Sequence, residues 1–131
     1  MPTIAVIEDN ADNRLLARAI LEDHYRIVEY DGGAVALAAM VDDPPDVVLL
    51  DISLPEMDGS EVLRRLRQVP RLRDLPVIAL TAHAMAGDRE RFLAAGFDAY
   101  VSKPIVDEQI LLDEVARLLG GPPGGAPSWT T

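Results

Sequence analysis

Apolar runs of strand length alternate along the chain with longer stretches in which apolar residues recur at helical spacing, the rhythm of repeated βαβ units. Ile4-Ala5-Val6-Ile7, Val47-Val48-Leu49-Leu50 and Val77-Ile78-Ala79-Leu80 are apolar at every position. Strands of a parallel sheet read this way when helices cover both faces. Arg26-Ile27-Val28-Glu29-Tyr30 alternates instead, which predicts a half-exposed strand at one edge, and the short run Asp98-Ala99-Tyr100-Val101-Ser102 is placed at the other edge. Five strands result. Between them, Asn13 to Leu21 is expected to be a helix with Leu15, Leu16, Ala19 and Ile20 on its inward stripe. Gly59 to Leu66 is expected to turn Val62, Leu63 and Leu66 inward. Ala34 to Val41 and Met85 to Ala95 read as weaker, alanine-rich helices, the second closed by Gly96 as a C-cap. Asp107 to Leu119 is the last, with Leu111, Val115 and Leu118 inward. Pro44-Pro45, Pro55, Pro70 and Pro76 fall between elements, where a missing backbone donor does least harm. The predicted fold is α/β: a doubly wound, five-stranded parallel sheet with five flanking helices.

From Gly120 the composition changes to Gly-Gly-Pro-Pro-Gly-Gly-Ala-Pro-Ser-Trp-Thr-Thr, too poor in burying residues to order itself. Residues 1–119 are therefore expected to form one domain and residues 120–131 a flexible tail or linker. A length of 131 residues, 49 % apolar and 26 % charged, supports one modest core and excludes a multidomain enzyme. The formal charge of −10 repels nucleic acid and anionic lipid and suits a cation or a basic partner surface. With no cysteine, thiolate catalysis and zinc-thiolate sites are impossible, and a reducing compartment is permitted. No apolar run approaches the ~18 residues that span a bilayer, and Met1-Pro2-Thr3 lacks the features of a signal peptide. The expected location is the cytoplasm, with neither nucleic acid nor membrane as partner.

Candidate chemistry comes from what ends each strand. The first run ends in Glu8-Asp9, the central one in Asp51, the next in Thr81 and the last in Ser102-Lys103. Ligands of open α/β sheets bind beyond the carboxyl ends of the strands, where strand order reverses, so these side chains should meet in one crevice. Carboxylates brought together repel by roughly 4 kcal/mol per pair at 4 Å and an effective dielectric of 20, so a positive charge is required. An all-oxygen set suits a hard cation, and Mg²⁺ needs only one or two carboxylates and leaves room for a phosphoryl group. Lys103 is the one lysine beside eleven arginines. Its compact ammonium can face phosphoryl oxygens as a point charge, where a guanidinium would impose a bidentate geometry.

Ile7-Glu8-Asp9-Asn10, Leu50-Asp51-Ile52-Ser53-Leu54-Pro55-Glu56-Met57-Asp58-Gly59, Leu80-Thr81-Ala82 and Val101-Ser102-Lys103-Pro104, in this order and spacing, resemble the receiver domain of two-component response regulators over residues 3–119. The resemblance implies the strand order 2-1-3-4-5. It also implies that Asp51 is the phosphoacceptor, and that Asp9 and Asp51 bind Mg²⁺ with the backbone carbonyl of Ser53, Glu8 helping through a water. Thr81 and Lys103 would then hold the phosphoryl oxygens. Glu8 stands where many relatives have aspartate. Ser53 and His83 occupy positions that tune hydrolysis of the acyl phosphate in the family, His83 also reading simply as an exposed residue; His24 reads as surface. Tyr100 matches the switch aromatic that follows Thr81 inward and reshapes the face formed by the fourth helix, fifth strand and fifth helix. A cis Lys103-Pro104 bond would aim the lysine into the crevice, and Asp58-Gly59 reads as a turn leading into a helix, without chemistry.

The function implied is a phosphoacceptor switch, an enzyme only toward its own phosphorylation and dephosphorylation. Its donor would be a sensor histidine kinase or a histidine phosphotransfer protein, and its output a downstream protein bound as a monomer or weak homodimer. A stand-alone receiver of the cell-cycle or phosphorelay type is the first reading, and a receiver module excised from a hybrid histidine kinase the second. From another class, a metal-dependent phosphohydrolase would use the same acidic cluster, but that type usually carries a second aspartate two residues after the nucleophile, where this chain has Ser53. A nucleotide-binding protein lacks support because no Gly-x-x-x-x-Gly-Lys loop exists.

Overall fold

The computed structural model describes residues 1–82, 88–103, 105 and 107–120. In chain order the elements are β1 (Thr3–Ile7), α1 (Ala11–Leu21), β2 (Arg26–Tyr30), α2 (Gly33–Asp42), β3 (Val47–Asp51), α3 (Gly59–Gln68), β4 (Val77–Thr81), α4 (Asp88–Ala95), β5 (Ala99–Ser102) and α5 (Glu108–Leu118). The five strands form one parallel sheet in the order β2-β1-β3-β4-β5. Both edge assignments hold: β2 and β5 flank three strands that are buried almost throughout. The expected start of the fourth helix at Met85 lies outside the described residues, as do His83, Pro104 and residues 121–131.

The unbroken apolar strands serve two cores at once. Ala5, Ile7, Val48, Leu50, Val77 and Ala79 point to one face, where they meet Ala36 and Met40 of α2, Val62, Leu63 and Leu66 of α3, and Phe92 of α4. Their alternates Ile4, Val6, Val47, Leu49, Ile78 and Leu80 point to the other, against Ala17, Ile20 and Leu21 of α1 and Leu111 and Val115 of α5. Alternation of side chains along a strand thus gives each face its own apolar set.

One stripe is corrected. On α1, Leu15 is 64 % exposed and Ala19 is also exposed, while Ala17, Ile20 and Leu21 are buried and Leu16 packs beside them. The inward face lies about 100° round the helix from the expected one, a single residue of rotation. The larger Leu15 outweighs the small Ala17 in a reading of hydrophobicity, but a small residue is what lets α1 approach the sheet. On α5, Leu111 and Val115 are buried as expected and Leu118 packs partly buried against the same core.

Among the described residues, three helix starts carry side-chain caps: Asn10 Oδ1 accepts from Asn13 N, Asp58 Oδ1 from Glu61 N and Asp107 Oδ1 from Gln109 N, each at 3.0 Å. Such caps stabilise by about 1 kcal/mol each. The end of α4 is fixed by Gly96, with φ of +111°, donating to Leu93 O while Phe97 N donates to Phe92 O. This double bond pattern with a left-handed glycine is the Schellman motif, and its usual apolar contact is present as the edge-on Phe92–Phe97 pair at 5.9 Å.

Candidate functional site

Strand order reverses between β1 and β3, and the register sets what meets there. Ile7 pairs with Leu50, so Glu8, the next residue along, comes level with Asp51 at the end of β3. Beyond Asp51, the β4 partner Leu80 is followed by Thr81, which pairs with Ser102, and Lys103 N donates to Thr81 O at 2.8 Å. All four strand ends therefore open on one rim. Candidate ligand atoms of Glu8, Asp9 and Asp51 lie within 4.8 Å of one another. Lys103 Nζ stands 3.0 Å from Asp51 Oδ1 and 3.5 Å from Glu8 Oε1. The structure thus brings together Glu8, Asp9, Asp51 and Lys103, with the buried Thr81 at the neighbouring strand end. Tyr100 is half-buried on the first face of the sheet, its ring 5.9 Å from Phe92.

The electrostatics of the cluster are uneven. Glu8 and Asp51 are buried, whereas Asp9 is exposed. Burial first, and hydrogen bonding to Asp51 second, push the Glu8 carboxyl up to about 7. Burial acts in the same upward direction on Asp51, but its hydrogen bonds with Glu8, Ser53 N–H and Lys103 outweigh it and hold this carboxyl below its usual range. Burial alone would favour a neutral Lys103 amine, yet Asp51 and Glu8 keep the ammonium above its ordinary value. The pair of carboxyls is thus differentiated, with Asp51 the group that stays ionised and Glu8 the one that resists a second negative charge.

Smaller contacts hold these groups in place, and the sequence did not single them out. Asn13 Nδ2 donates to Glu8 Oε1 at 2.5 Å. Arg14 donates to the carbonyls of Glu8 at 2.7 Å and Asp9 at 3.2 Å, and lies 3.5 Å from Glu29, so it braces the acidic loop from behind. Ser53 contributes its backbone N–H to Asp51 Oδ1 at 3.0 Å, while its side chain is exposed. At Gly59, read from sequence as part of a turn without chemistry, an added Cβ would lie 2.7 Å from both Asp51 O and Ile52 Cα. The start of α3 therefore rests directly on the backbone of Asp51, with Gly59 N donating to Ile52 O at 2.9 Å. A glycine immediately after the N-cap Asp58 was the available signal for such a close approach; Arg14 gave none.

The donor set fits a divalent cation. Glu8 Oε2 is buried and accepts no hydrogen bond from a described donor, a costly state once this carboxyl is ionised unless a cation or its water serves it. Oxygen donors without histidine or cysteine select a hard ion such as Mg²⁺. Among the described residues, no helix is long and apolar enough to cross a membrane.

Residues 4–116 match the family described as "Response regulator receiver domain". The chain is 41 % identical over 109 residues to the signal transduction histidine-protein kinase BarA of Escherichia coli K12, covering 82 % of this chain and 12 % of that protein. It is 42 % identical over 104 residues to the polar-differentiation response regulator DivK of Brucella ovis, covering 79 % of this chain and 85 % of that one. Among solved structures, the receiver domain of the sensor histidine kinase PA1611 from Pseudomonas aeruginosa, which has magnesium coordinated in its active-site cleft, superposes with a TM-score of 0.82. That domain is 34 % identical, with 92 % of this chain and 98 % of that chain covered.

Proposed function

Since the chain belongs to the response regulator receiver family, we propose that it accepts a phosphoryl group on Asp51 from a phosphohistidine and signals through the resulting change of surface. Receivers of this family are signalling switches that interact with histidine kinases or phosphotransfer proteins. The observation that carries the reading is the convergence of Glu8, Asp9 and Asp51 within 4.8 Å, with Lys103 Nζ 3.0 Å from Asp51.

The residues divide the work by charge and position. The Asp51 carboxylate, kept ionised, forms a new O–P bond in line as the P–N bond of the donor breaks and the imidazole departs. Lys103 holds a compact positive charge against the oxygens of the transferring group, and Thr81 meets them from the adjacent strand. The Ser53 N–H and the close contact of Gly59 fix where the Asp51 side chain and backbone sit. Asp9, Asp51 and the Ser53 carbonyl would hold Mg²⁺, with Glu8 assisting through a water, and the ion would neutralise oxygen charge while orienting the reactants. Ser53 and His83, two residues after Asp51 and Thr81, are the positions assigned to setting the lifetime of the acyl phosphate.

For output, Thr81 moves toward the phosphoryl group, Tyr100 follows it inward, and the surface of α4, β5 and α5 changes shape for a protein partner. Full inversion of such a two-state balance from 1:99 to 99:1 takes about 5.5 kcal/mol, within reach of a few charge-assisted hydrogen bonds. The monomer or a weak homodimer serves this role in the cytoplasm. The match takes in 85 % of DivK and 12 % of BarA, which suits a stand-alone receiver and a module of a hybrid kinase alike, and nothing favours the phosphohydrolase reading.

The test is mass spectrometry after incubation with acetyl phosphate, with and without Mg²⁺. A gain of one phosphoryl unit mapped to Asp51, dependent on Mg²⁺ and lost in Asp51→Asn, is expected. Undiminished labelling of Asp51→Asn overturns the assignment.

A further inference from the structure

Asp9 is the exposed member of the acidic cluster, and no group among the described residues donates to its carboxylate. Glu8 and Asp51 differ in this respect, being held by Asn13, by the Ser53 N–H and by Lys103. A side chain without partners points where its backbone sends it. For Asp9 that backbone is fixed on both sides by one residue. Arg14 Nη1 donates to Glu8 O at 2.7 Å and to Asp9 O at 3.2 Å, the carbonyls of the two peptide units that flank the Asp9 Cα. The backbone N–H of Arg14 takes the next carbonyl, Asn10 O, at 3.0 Å. Three successive carbonyls of the β1–α1 loop therefore end on a single residue of α1. The guanidinium is itself aimed: its Nε lies 3.5 Å from Glu29 Oε1 on β2, and the other Glu29 oxygen accepts from Arg18 Nε at 2.6 Å, one turn further along α1. A planar fork of donors can face a carboxylate with one nitrogen and carbonyls with another, a division of labour that a lysine ammonium lacks.

We propose that Arg14 is a positioning residue for the cation site: by gripping the peptide units on both sides of Asp9 it presets the direction of that carboxylate, so the ion does not have to order the loop when it binds. The inference rests on the phosphoacceptor reading of the site, in which Asp9 is a direct ligand. Its carboxylate already lies within 4.8 Å of those of Glu8 and Asp51, the arrangement that Arg14 would preserve. Ordering a backbone opposes binding, and a loop ordered in advance avoids that loss of affinity. Groups that orient metal ligands typically govern affinity by about 10- to 100-fold. Charge makes the opposite prediction. Arg14 is a cation beside an acidic site, so by electrostatics alone its removal would tighten the binding of a divalent ion. The sign of the change therefore separates positioning from charge.

The experiment titrates MgCl₂ into the full chain and follows backbone amide NMR signals, which yield the dissociation constant and, before metal is added, show that the sheet is intact. Wild type, Arg14→Ala, Arg14→Lys and Arg18→Ala are compared. Arg14→Ala should bind Mg²⁺ about tenfold more weakly than wild type. Arg14→Lys keeps the charge with only part of the grip and should recover part of that loss; it also carries the test if Arg14→Ala does not fold. Arg18→Ala removes a cation from the same helix without touching a loop carbonyl, and should bind Mg²⁺ as wild type does or more tightly. Unchanged or tighter binding in Arg14→Ala, or in Arg14→Lys where only that variant folds, overturns the proposal and leaves the phosphoacceptor reading intact, even if stability has fallen. Equal weakening in Arg18→Ala assigns the effect to the helix as a whole and overturns it too. Failure of the wild type to bind Mg²⁺ at all overturns that reading and this inference with it.

Discussion

Replacing Glu8 by glutamine removes a negative charge that the fold holds at a cost, without changing side-chain size. The Glu8 side chain is fully buried, and its carboxyl is raised from its ordinary value of 4.5 to about 7. A group whose pKa is higher folded than unfolded contributes stability that is complete below the unfolded value and is lost as pH rises through the folded one. Stability of the metal-free wild type should therefore fall between about pH 4.5 and 7 and level off above. Each pKa unit corresponds to 1.36 kcal/mol, so a rise of about 2.5 units sets a ceiling near 3 kcal/mol on the penalty. Glu8→Gln should then be more stable than wild type at pH 8 in chelator by up to about 3 kcal/mol, and equal to it near pH 4.5. For a domain of this size the gain corresponds to roughly 3–5 °C in Tm per kcal/mol. Urea denaturation at a series of pH values, with and without Mg²⁺, reads the effect. Saturating Mg²⁺ should narrow the difference, because binding stabilises the wild-type folded state by mass action. A constant difference between the two proteins from pH 4.5 to 8 would refute the account of a carboxylate destabilised by burial and by Asp51.

Gly59→Ala would place a Cβ 2.7 Å from Asp51 O and Ile52 Cα, two backbone atoms that have no room to yield. We expect destabilisation of about 1–3 kcal/mol by urea titration and slower labelling by acetyl phosphate, because the phosphoacceptor is displaced; a wild-type labelling rate would show that Asp51 does not depend on this contact. Arg67 donates to the carbonyls of Arg73, Leu75 and Gly96 and pairs with Asp98, joining α3 to the segments that lead into β4 and β5. Arg67→Ala should cost about 2–3 kcal/mol, far more than the exposed pair Arg65–Glu61, whose removal should be nearly silent. Thr81→Ala is expected to accept the phosphoryl group but to bind its output partner no better when phosphorylated, as read by pull-down or calorimetry with beryllofluoride; a full partner response would remove Thr81 from the coupling.

Much of the architecture is determined by local sequence pattern. Runs such as Val47 to Leu50 have no polar position to turn outward, so they can exist only as strands covered on both faces, and the acidic, threonine and lysine residues that end those strands must then share a rim. Gly96 announces the end of α4 because few other residues tolerate its backbone conformation. What pattern alone misjudged was the facing of α1, where Ala17 rather than Leu15 meets the sheet. Size and hydrophobicity rank the leucine first, while the distance between helix and sheet, a tertiary quantity, selects the alanine. The same holds within the site. The presence of Glu8, Asp9, Asp51 and Lys103 is a property of the chain, but register decides that Glu8 and Asp51 are level and buried together. Only that juxtaposition drives one carboxyl up and the other down. Asn13, Arg14 and Gly59 acquire their roles in the same way. Each acts through contacts made from another element, and such contacts depend on how α1 and α3 sit against β1 and β3, which no spacing within the sequence encodes.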